Sequence, residues 1–120
     1  MFSHVFLGTN QFERALSFYR PLMELLGLKA QGGRPLFVLG HPDNGEPATP
    51  GNGQMVALLA PCRAIVDELH ARALQLGGRD EGPPGLRPHY HAHYHGAYFR
   101  DLDGHKLCVV CHLPPSDGSA

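Results

Sequence analysis

The sequence predicts an α+β fold assembled from two copies of one module, because a pattern of strand, amphipathic helix and glycine occurs twice at a constant offset. The first strand opens at His4 and its copy opens at Met55, 51 positions later (55 − 4 = 51). A glycine ends each helical pattern, at Gly27 and at Gly78, again 51 positions apart (78 − 27 = 51). These matching offsets indicate a duplicated supersecondary unit. We therefore expect the halves to pair about a pseudo-twofold axis, with a ligand-binding cleft between them.

The first copy starts with a β-favouring run at 3–7, which is followed by one amphipathic helix. Asn10 and Glu13 have the spacing of a capping box, which predicts the start of that helix. Apolar residues then recur every three or four positions up to Gly27. Pro21 removes one backbone donor within this pattern, so we expect a kinked helix rather than two helices.

The remainder of the first copy is extended and then irregular. Two short pieces at 28–30 and 35–40 flank a glycine turn, and we expect them to pair as a hairpin. The stretch 41–53 is rich in proline and glycine and has too little apolar surface to pack. It therefore predicts a loop that joins the two copies.

The second copy repeats the order with a strand at 54–60 and a helix that starts near Pro61. A turn-rich segment follows this helix. Three later stretches favour strands, namely 89–95, 97–101 and 106–113. Since a tight turn separates the last two, we expect them to form a hairpin.

Length and composition indicate one domain. With 120 residues, of which 42% are hydrophobic, the chain can bury one core. We expect a domain at 1–113, divided into module one (1–53) and module two (54–113), and a flexible tail at 114–120.

The charge balance and the hydropathy pattern restrict the partners. A formal charge of −1 and a pI near 6.7 disfavour nucleic acid. No apolar run approaches the ~20 residues of a membrane helix, and no export signal is recognisable, so we expect no membrane partner and a cytoplasmic location. The three cysteines are then expected to be reduced thiols.

Three strings in this order resemble the vicinal oxygen chelate superfamily, the group of glyoxalases, bleomycin resistance proteins and extradiol dioxygenases. They are HVFLG at 4–8, FERALSFY at 12–19 and FRDLDGHKL at 99–107. The last string is similar to the family's F-x-x-D-P-D-G-N-x-[IL]-E turn. The resemblance covers 3–112 and implies paired βαβββ modules that form a curled mixed sheet around a cup. It also implies a homodimer, because small members often complete their cups across subunits.

The resemblance further implies a divalent metal held by the first and last strands of each module, where it would stabilise a substrate oxyanion. His4 matches the ligand position of the first strand, whereas Met55 and Cys108 stand at the matching positions of module two. His41 is a weak candidate for the remaining ligand. Since a thioether is a soft ligand, this set disfavours the hard magnesium and manganese ions and at best suits zinc or copper(I). The metals considered are zinc, nickel, manganese and iron.

Two further motifs have competing interpretations. The string CVVCH at 108–112 has the spacing of a haem attachment site or a redox dithiol, but strand alternation places Cys108 and Cys111 on opposite faces, which argues against both. If the histidine-rich segment 89–95 is extended, its four histidines share one face and form a chelator. The alternative is an exposed, partly irregular strand. A similarity to a P-H-Y-H-x-x-Y-Y segment of one glyoxalase-like subgroup implies that His91 and Tyr94 contact ligand.

Two functions are compatible with these residues. The first is a metal-assisted lyase, isomerase or dioxygenase for a small oxygen-bearing substrate, with His4 as a ligand. The second is a metal-free module that binds or sequesters a small aromatic or amphipathic molecule. Neither haem nor nucleotide is expected, and no catalytic residue is assigned. The predicted pocket residues are Met55, His91, Tyr94 and Tyr98.

Overall fold

The computed structural model describes residues 1–28 and 36–115. Its elements in chain order are β1 (Val5–Gly8), α1 (Phe12–Leu25), β2 (Phe37–Gly40), β3 (Val56–Leu59), α2 (Arg63–Gln75), β4 (Arg79–Leu86), β5 (His95–Arg100) and β6 (Lys106–Cys111). The predicted α+β class is confirmed. Within the described ranges, no helix has the length and apolar character needed to cross a membrane.

The predicted repeat is present in the element boundaries. β1 and β3 begin at Val5 and Val56, and α1 and α2 begin at Phe12 and Arg63, so both pairs are 51 positions apart (56 − 5 and 63 − 12). The second module is a complete βαβββ unit whose strands lie in the order β3-β6-β5-β4. β3 pairs with β6 in parallel, and the remaining pairs are antiparallel. The chain is thus an α+β protein with modules of the βαβββ type.

In the first module β2 pairs in parallel with β1, and Val5 lies opposite Phe37. β2 therefore has the same position beside β1 that β6 has beside β3, where Val56 lies opposite Leu107. This parallel pairing is possible because α1 lies in the long connection between the two strands. It does not test the expected hairpin of 28–30 with 35–40. Most of the first piece, 29–30, lies outside the described residues. Paired positions are 32 apart in module one (37 − 5) but 51 apart in module two (107 − 56), so the connection between the paired strands is 19 residues shorter in module one (51 − 32).

Both helices cover the same side of the four-stranded sheet. Phe18 and Leu22 of α1 and Val66 and Leu69 of α2 are buried in one cluster. That cluster includes alternate residues of β6, which are Leu107, Val109 and Cys111. The intervening Lys106 and Cys108 therefore face the opposite side of the sheet. We call this opposite side the open face.

Both helices end in the same Schellman motif. In α1 the amides of Gly27 and Leu28 bond to the carbonyls of Glu24 and Met23. In α2 the amides of Gly77 and Gly78 bond to Leu74 and Ala73 in the same way. The left-handed residue is Gly77, with φ 105°, and it corresponds to Gly27, with φ 80°. The expected correspondence of Gly27 with Gly78 is thus wrong by one position, because α2 is one residue shorter than α1.

The predicted capping box of α1 is also wrong. The residue that caps the helix is Gln11, and it makes no side-chain cap bond. The Asn10 side chain is instead committed to the loop that joins the modules: its Oδ1 accepts from the Ala48 amide at 2.7 Å and its Nδ2 donates to the Ala48 carbonyl at 3.0 Å. This long-range pair outcompetes a local cap. α1 continues as one helix through Pro21, as expected.

The turn between β5 and β6 ties the modules together. Buried Asp101 accepts a hydrogen bond from the Tyr19 hydroxyl of α1 and others from the amides of Asp103 and His105. The His105 ring then donates to the Gly8 carbonyl of β1 at 2.8 Å. These bonds hold the end of β1 against the start of β6.

Candidate functional site

A hollow of about 260 Å³ lies where β1, β3 and β6 meet. We call it the β1–β3 hollow. Its walls are Val5, Phe6, Leu7 and Gly8 of β1, Gly51, Gln54, Met55 and Val56 at the start of β3, and His105 and Lys106 beside β6. Met55, one of the predicted pocket residues, lines this hollow, and strands of both modules contribute to it. Its lining is mainly apolar. The His105 ring is held by its hydrogen bond to the Gly8 carbonyl.

A second group of side chains, which we call the thiol–tyrosine cluster, lies on the open face and comprises Tyr94, Tyr98 and Cys108. Tyr98 and Cys108 are direct partners across β5 and β6. The Tyr94 hydroxyl lies 3.0 Å from the Tyr98 hydroxyl and 3.5 Å from the Cys108 sulfur. The sequence analysis assigned Tyr94 and Tyr98 to the pocket and Cys108 to a metal-ligand position. The structure brings the three into mutual contact, but they do not line the β1–β3 hollow.

Two glycines make room for the tyrosine rings. A Cβ at Gly96 would lie 2.8 Å from Tyr94 Cε1, and a Cβ at Gly82 would lie 2.9 Å from Tyr98 Cδ1. Both rings therefore rest directly on the backbone of the sheet. This position brings the Tyr94 hydroxyl over Cys108.

The thiol–tyrosine cluster is neutral. Burial raises the pKa of the Cys108 thiol, and the opposing influence of its tyrosine hydrogen bonds and of Arg87 and Lys106 does not overcome it. Burial also raises the pKa values of the Tyr94 and Tyr98 hydroxyls. The cluster can therefore offer O–H and S–H donors but no thiolate nucleophile, since nucleophilic attack requires the ionised sulfur.

The histidine-rich segment is not an extended chelator, and only His95 of 89–95 lies in a strand; the rest is an irregular loop. Residues 87–94 are a loop between β4 and β5, and His95 lies in β5, where its ring bonds to Asp67 at 2.8 Å. His91 instead contacts His112 beyond β6: its Nε2–H donates to His112 Nδ1 at 2.8 Å. The His93 amide donates to His91 Nδ1 at 3.1 Å, which fixes this tautomer. The edge of the His91 ring meets the Tyr94 ring, with centroids 5.7 Å apart.

The metal-ligand positions implied by the resemblance can be compared through the strand registers. Cys108 lies opposite Ala57, and Val38 lies opposite Phe6, which is 51 positions before Ala57 (57 − 6). Val38 is therefore the counterpart of Cys108, a position that His41 was expected to supply. The four positions are His4, Val38, Met55 and Cys108.

This donor set does not fit a divalent cation that prefers oxygen and nitrogen ligands. It contains one imidazole, one thioether, one neutral buried thiol and one side chain without a donor atom. His4 and His41 are exposed, and His4 Nδ1 lies 3.0 Å from the Ser3 hydroxyl. Within 1–28 and 36–115, no three histidine, cysteine or acidic side chains converge, so the metal candidates His4, His41 and Cys108 do not form one site.

Two cations near the site were not predicted from the sequence. The Lys106 ammonium lies 5.6 Å from the centre of the Tyr98 ring, and the Arg87 guanidinium carbon lies 5.5 Å from it. The signal for Lys106 was available, because it precedes Cys108 by two residues and must share its face of β6. Arg87 lies in a loop, where side chains do not alternate between two faces, so the direction of its side chain could not be predicted from the sequence.

We expect removal of the Tyr94 ring to expose Cys108. In a Cys62→Ala background, Tyr94→Ala should increase the rate at which iodoacetamide alkylates Cys108 by about tenfold or more, because this ring and its hydroxyl cover the sulfur. Peptide mapping by mass spectrometry measures the rate. Buried Cys111 faces the helices and is the internal control, and Tyr90→Ala removes an exposed neighbouring ring. Equal protection of Cys108 and Cys111 in Tyr94→Ala would contradict the assignment.

The chain is similar to known proteins over nearly its whole length. A family model described as the Glyoxalase/Bleomycin resistance protein/Dioxygenase superfamily matches residues 1–109. A glyoxalase/bleomycin resistance protein from Albidiferax ferrireducens T118 is 34% identical, with a TM-score of 0.82, and the match covers 94% of this chain and 99% of that one.

More distant structures share the fold. A glyoxalase-related enzyme from Fulvimarina pelagi is 20% identical with a TM-score of 0.68, and the match covers 100% of this chain and 95% of that one. TioX from Micromonospora sp. ML1 is 22% identical with a TM-score of 0.56, over 93% and 100% of the two chains. No curated protein matched the sequence.

Proposed function

Because the chain belongs to the Glyoxalase/Bleomycin resistance protein/Dioxygenase superfamily, we propose that it binds a small, largely apolar molecule in the β1–β3 hollow without a bound metal. One observation carries this proposal. Strands of both modules enclose a cavity with apolar walls, while three of the four ligand positions hold Val38, Met55 and Cys108. The hollow is our candidate for the cup that the resemblance implies.

The size of the hollow suggests the size of its ligand. Its volume of about 260 Å³ is slightly below the usual range of ligand pockets, about 300–1,000 Å³. A molecule with one aromatic ring and a short polar substituent is appropriate. Its affinity would come mainly from apolar surface removed from water, at roughly 25 cal/mol per Å².

The metal-assisted lyase, isomerase or dioxygenase is the weaker proposal. A metal held by His4 would need further ligands from a second chain, because the other ligand positions of this chain do not supply them. A homodimer remains part of our proposal and is supported by exposed apolar side chains on β1 and β3, such as Phe6 and Leu59, which are 49% and 70% exposed. Sedimentation velocity of the purified protein tests it.

Titration calorimetry with cinnamate and cinnamyl alcohol tests the proposed binding. We expect saturable binding of at least one of these probes, unchanged by EDTA. Met55→Trp should fill the hollow and weaken binding by about a hundredfold, since a bulky ring would take the volume of the ligand. Leu59→Trp is the matched control, because this exposed residue of β3 does not line the hollow.

Three outcomes would contradict the proposal. They are failure of both probes to bind at millimolar concentration, equal binding by Met55→Trp and wild type, and binding that requires added nickel or zinc. Circular dichroism of each variant separates loss of binding from loss of folding.

A further inference from the structure

We infer that the molecule bound in the β1–β3 hollow carries a carboxylate, which Lys106 and Arg87 recognise. This inference rests on the proposed function and specifies the chemical class of its ligand. It begins from the position of Lys106, whose side chain belongs to the wall of the hollow and also reaches the Tyr98 ring.

Arg87 approaches the same ring from the loop after β4. Two cations that both lie within 6 Å of one ring centre are held on the open face by attraction to its π electrons. Arg87 also donates one hydrogen bond to the Pro83 carbonyl at 2.8 Å, which fixes its position and leaves other N–H groups available. Lys106 therefore places a positive charge at the wall of the hollow, and Arg87 adds a second positive charge near the same ring.

The nearby acids are engaged by other partners. Glu81 accepts from Arg100 at 2.6 Å, and this bond is the main reason that its pKa lies below the ordinary range. Lys106 contributes to that lowering more weakly, and the Glu81 carboxylate is directed at Arg100. Asp80 is bonded to the Gly82 amide and the His70 ring. Among the residues that the structure describes, neither Arg87 nor Lys106 takes part in an ion pair.

The thiol–tyrosine cluster next to these cations carries no negative charge. Tyr94, Tyr98 and Cys108 are protonated, so they do not neutralise Lys106 or Arg87. A carboxylate would meet two cations with no buried anion beside it. An uncharged ligand of the same shape would gain no such attraction, and this difference gives the selectivity.

The two probes differ in this respect alone, because cinnamate and cinnamyl alcohol share one apolar body and only cinnamate is charged. We expect cinnamate to bind wild type about tenfold more tightly. Lys106→Met should weaken cinnamate binding by about tenfold and leave cinnamyl alcohol unchanged, and Arg87→Met should act in the same direction. About 0.5 M salt should weaken the binding of cinnamate only. Arg72→Met is the control, since this exposed arginine of α2 bonds to Gln75.

The possible results separate the inference from the proposed function. If both probes bind equally and Lys106→Met changes neither affinity, the inference is wrong while binding in the hollow stands. If neither probe binds, the proposed function itself is wrong. If Met55→Trp abolishes cinnamate binding but Lys106→Met and Arg87→Met do not affect it, the hollow binds ligand without recognising charge.

Discussion

Asp101→Ala is expected to lower the free energy of unfolding by about 3 kcal/mol, because it leaves several buried donors without an acceptor. Asp101 is 6% exposed. One of its oxygens accepts from the Tyr19 hydroxyl, and the other accepts from the amides of Asp103 and His105 at 3.0 and 2.9 Å. The loss also loosens the turn that holds His105 against Gly8, so cinnamate binding should weaken as well.

Urea unfolding followed by circular dichroism measures this effect. The matched control is Asp103→Ala in the same turn, because that carboxylate accepts one exposed bond from the Asn10 amide, and its removal should cost below about 1 kcal/mol. Tyr19→Phe should fall between the two. Equal destabilisation by Asp101→Ala and Asp103→Ala would show that the buried carboxylate does not organise the turn.

Tyr19 adds a pH dependence with a defined sign. Burial, followed by the Asp101 charge, raises the pKa of its hydroxyl above the ordinary value of 10.0. A raised pKa means that the folded state favours the protonated phenol, so this stabilisation is complete below pH 10 and declines as the pH rises above it. The alkaline decline should be smaller in Tyr19→Phe.

Local patterns in the sequence predicted the starts of the repeated elements. The same apolar spacing predicts α1 and α2, and both helices are present 51 positions apart, although the cap predicted for α1 from local residues is wrong. The strand partner of β2 could not be predicted in this way. Phe37–Gly40 can pair with any extended neighbour, and its pairing with β1 is a tertiary choice made possible by the α1 crossover.

The candidate site was predictable where strand alternation applies. Tyr98 and Cys108 lie in regular strands, and their contact follows from register. The histidine-rich segment has the alternation of a strand, yet bonds such as that from the His93 amide to His91 Nδ1 shape it into a loop. No local pattern indicates that His91 meets His112, since the pair joins a loop to the end of a distant strand.

Gly78→Ala is expected to lower the free energy of unfolding by about 3 kcal/mol, because an alanine side chain would clash with the backbone on two sides. The sequence repeat gives no sign of this close packing. A Cβ at Gly78 would lie 2.8 Å from the Ala73 carbonyl oxygen and 2.9 Å from that of Arg100. Both are backbone atoms, one in the last turn of α2 and one at the end of β5. Relief of the clash requires the helix to move away from the sheet.

Gly27→Ala is the matched comparison, because Gly27 occupies the place in the first copy that the sequence offset assigns to Gly78. Gly27 has φ 80° and open space where a Cβ would be, so alanine there should cost about 1 kcal/mol from the left-handed backbone alone. Urea unfolding of both variants measures the difference. If both variants lose the same stability, the cost of alanine at Gly78 comes from backbone conformation and not from close helix–sheet packing. In that case α2 does not depend on Gly78 for its contact with the sheet that carries the site.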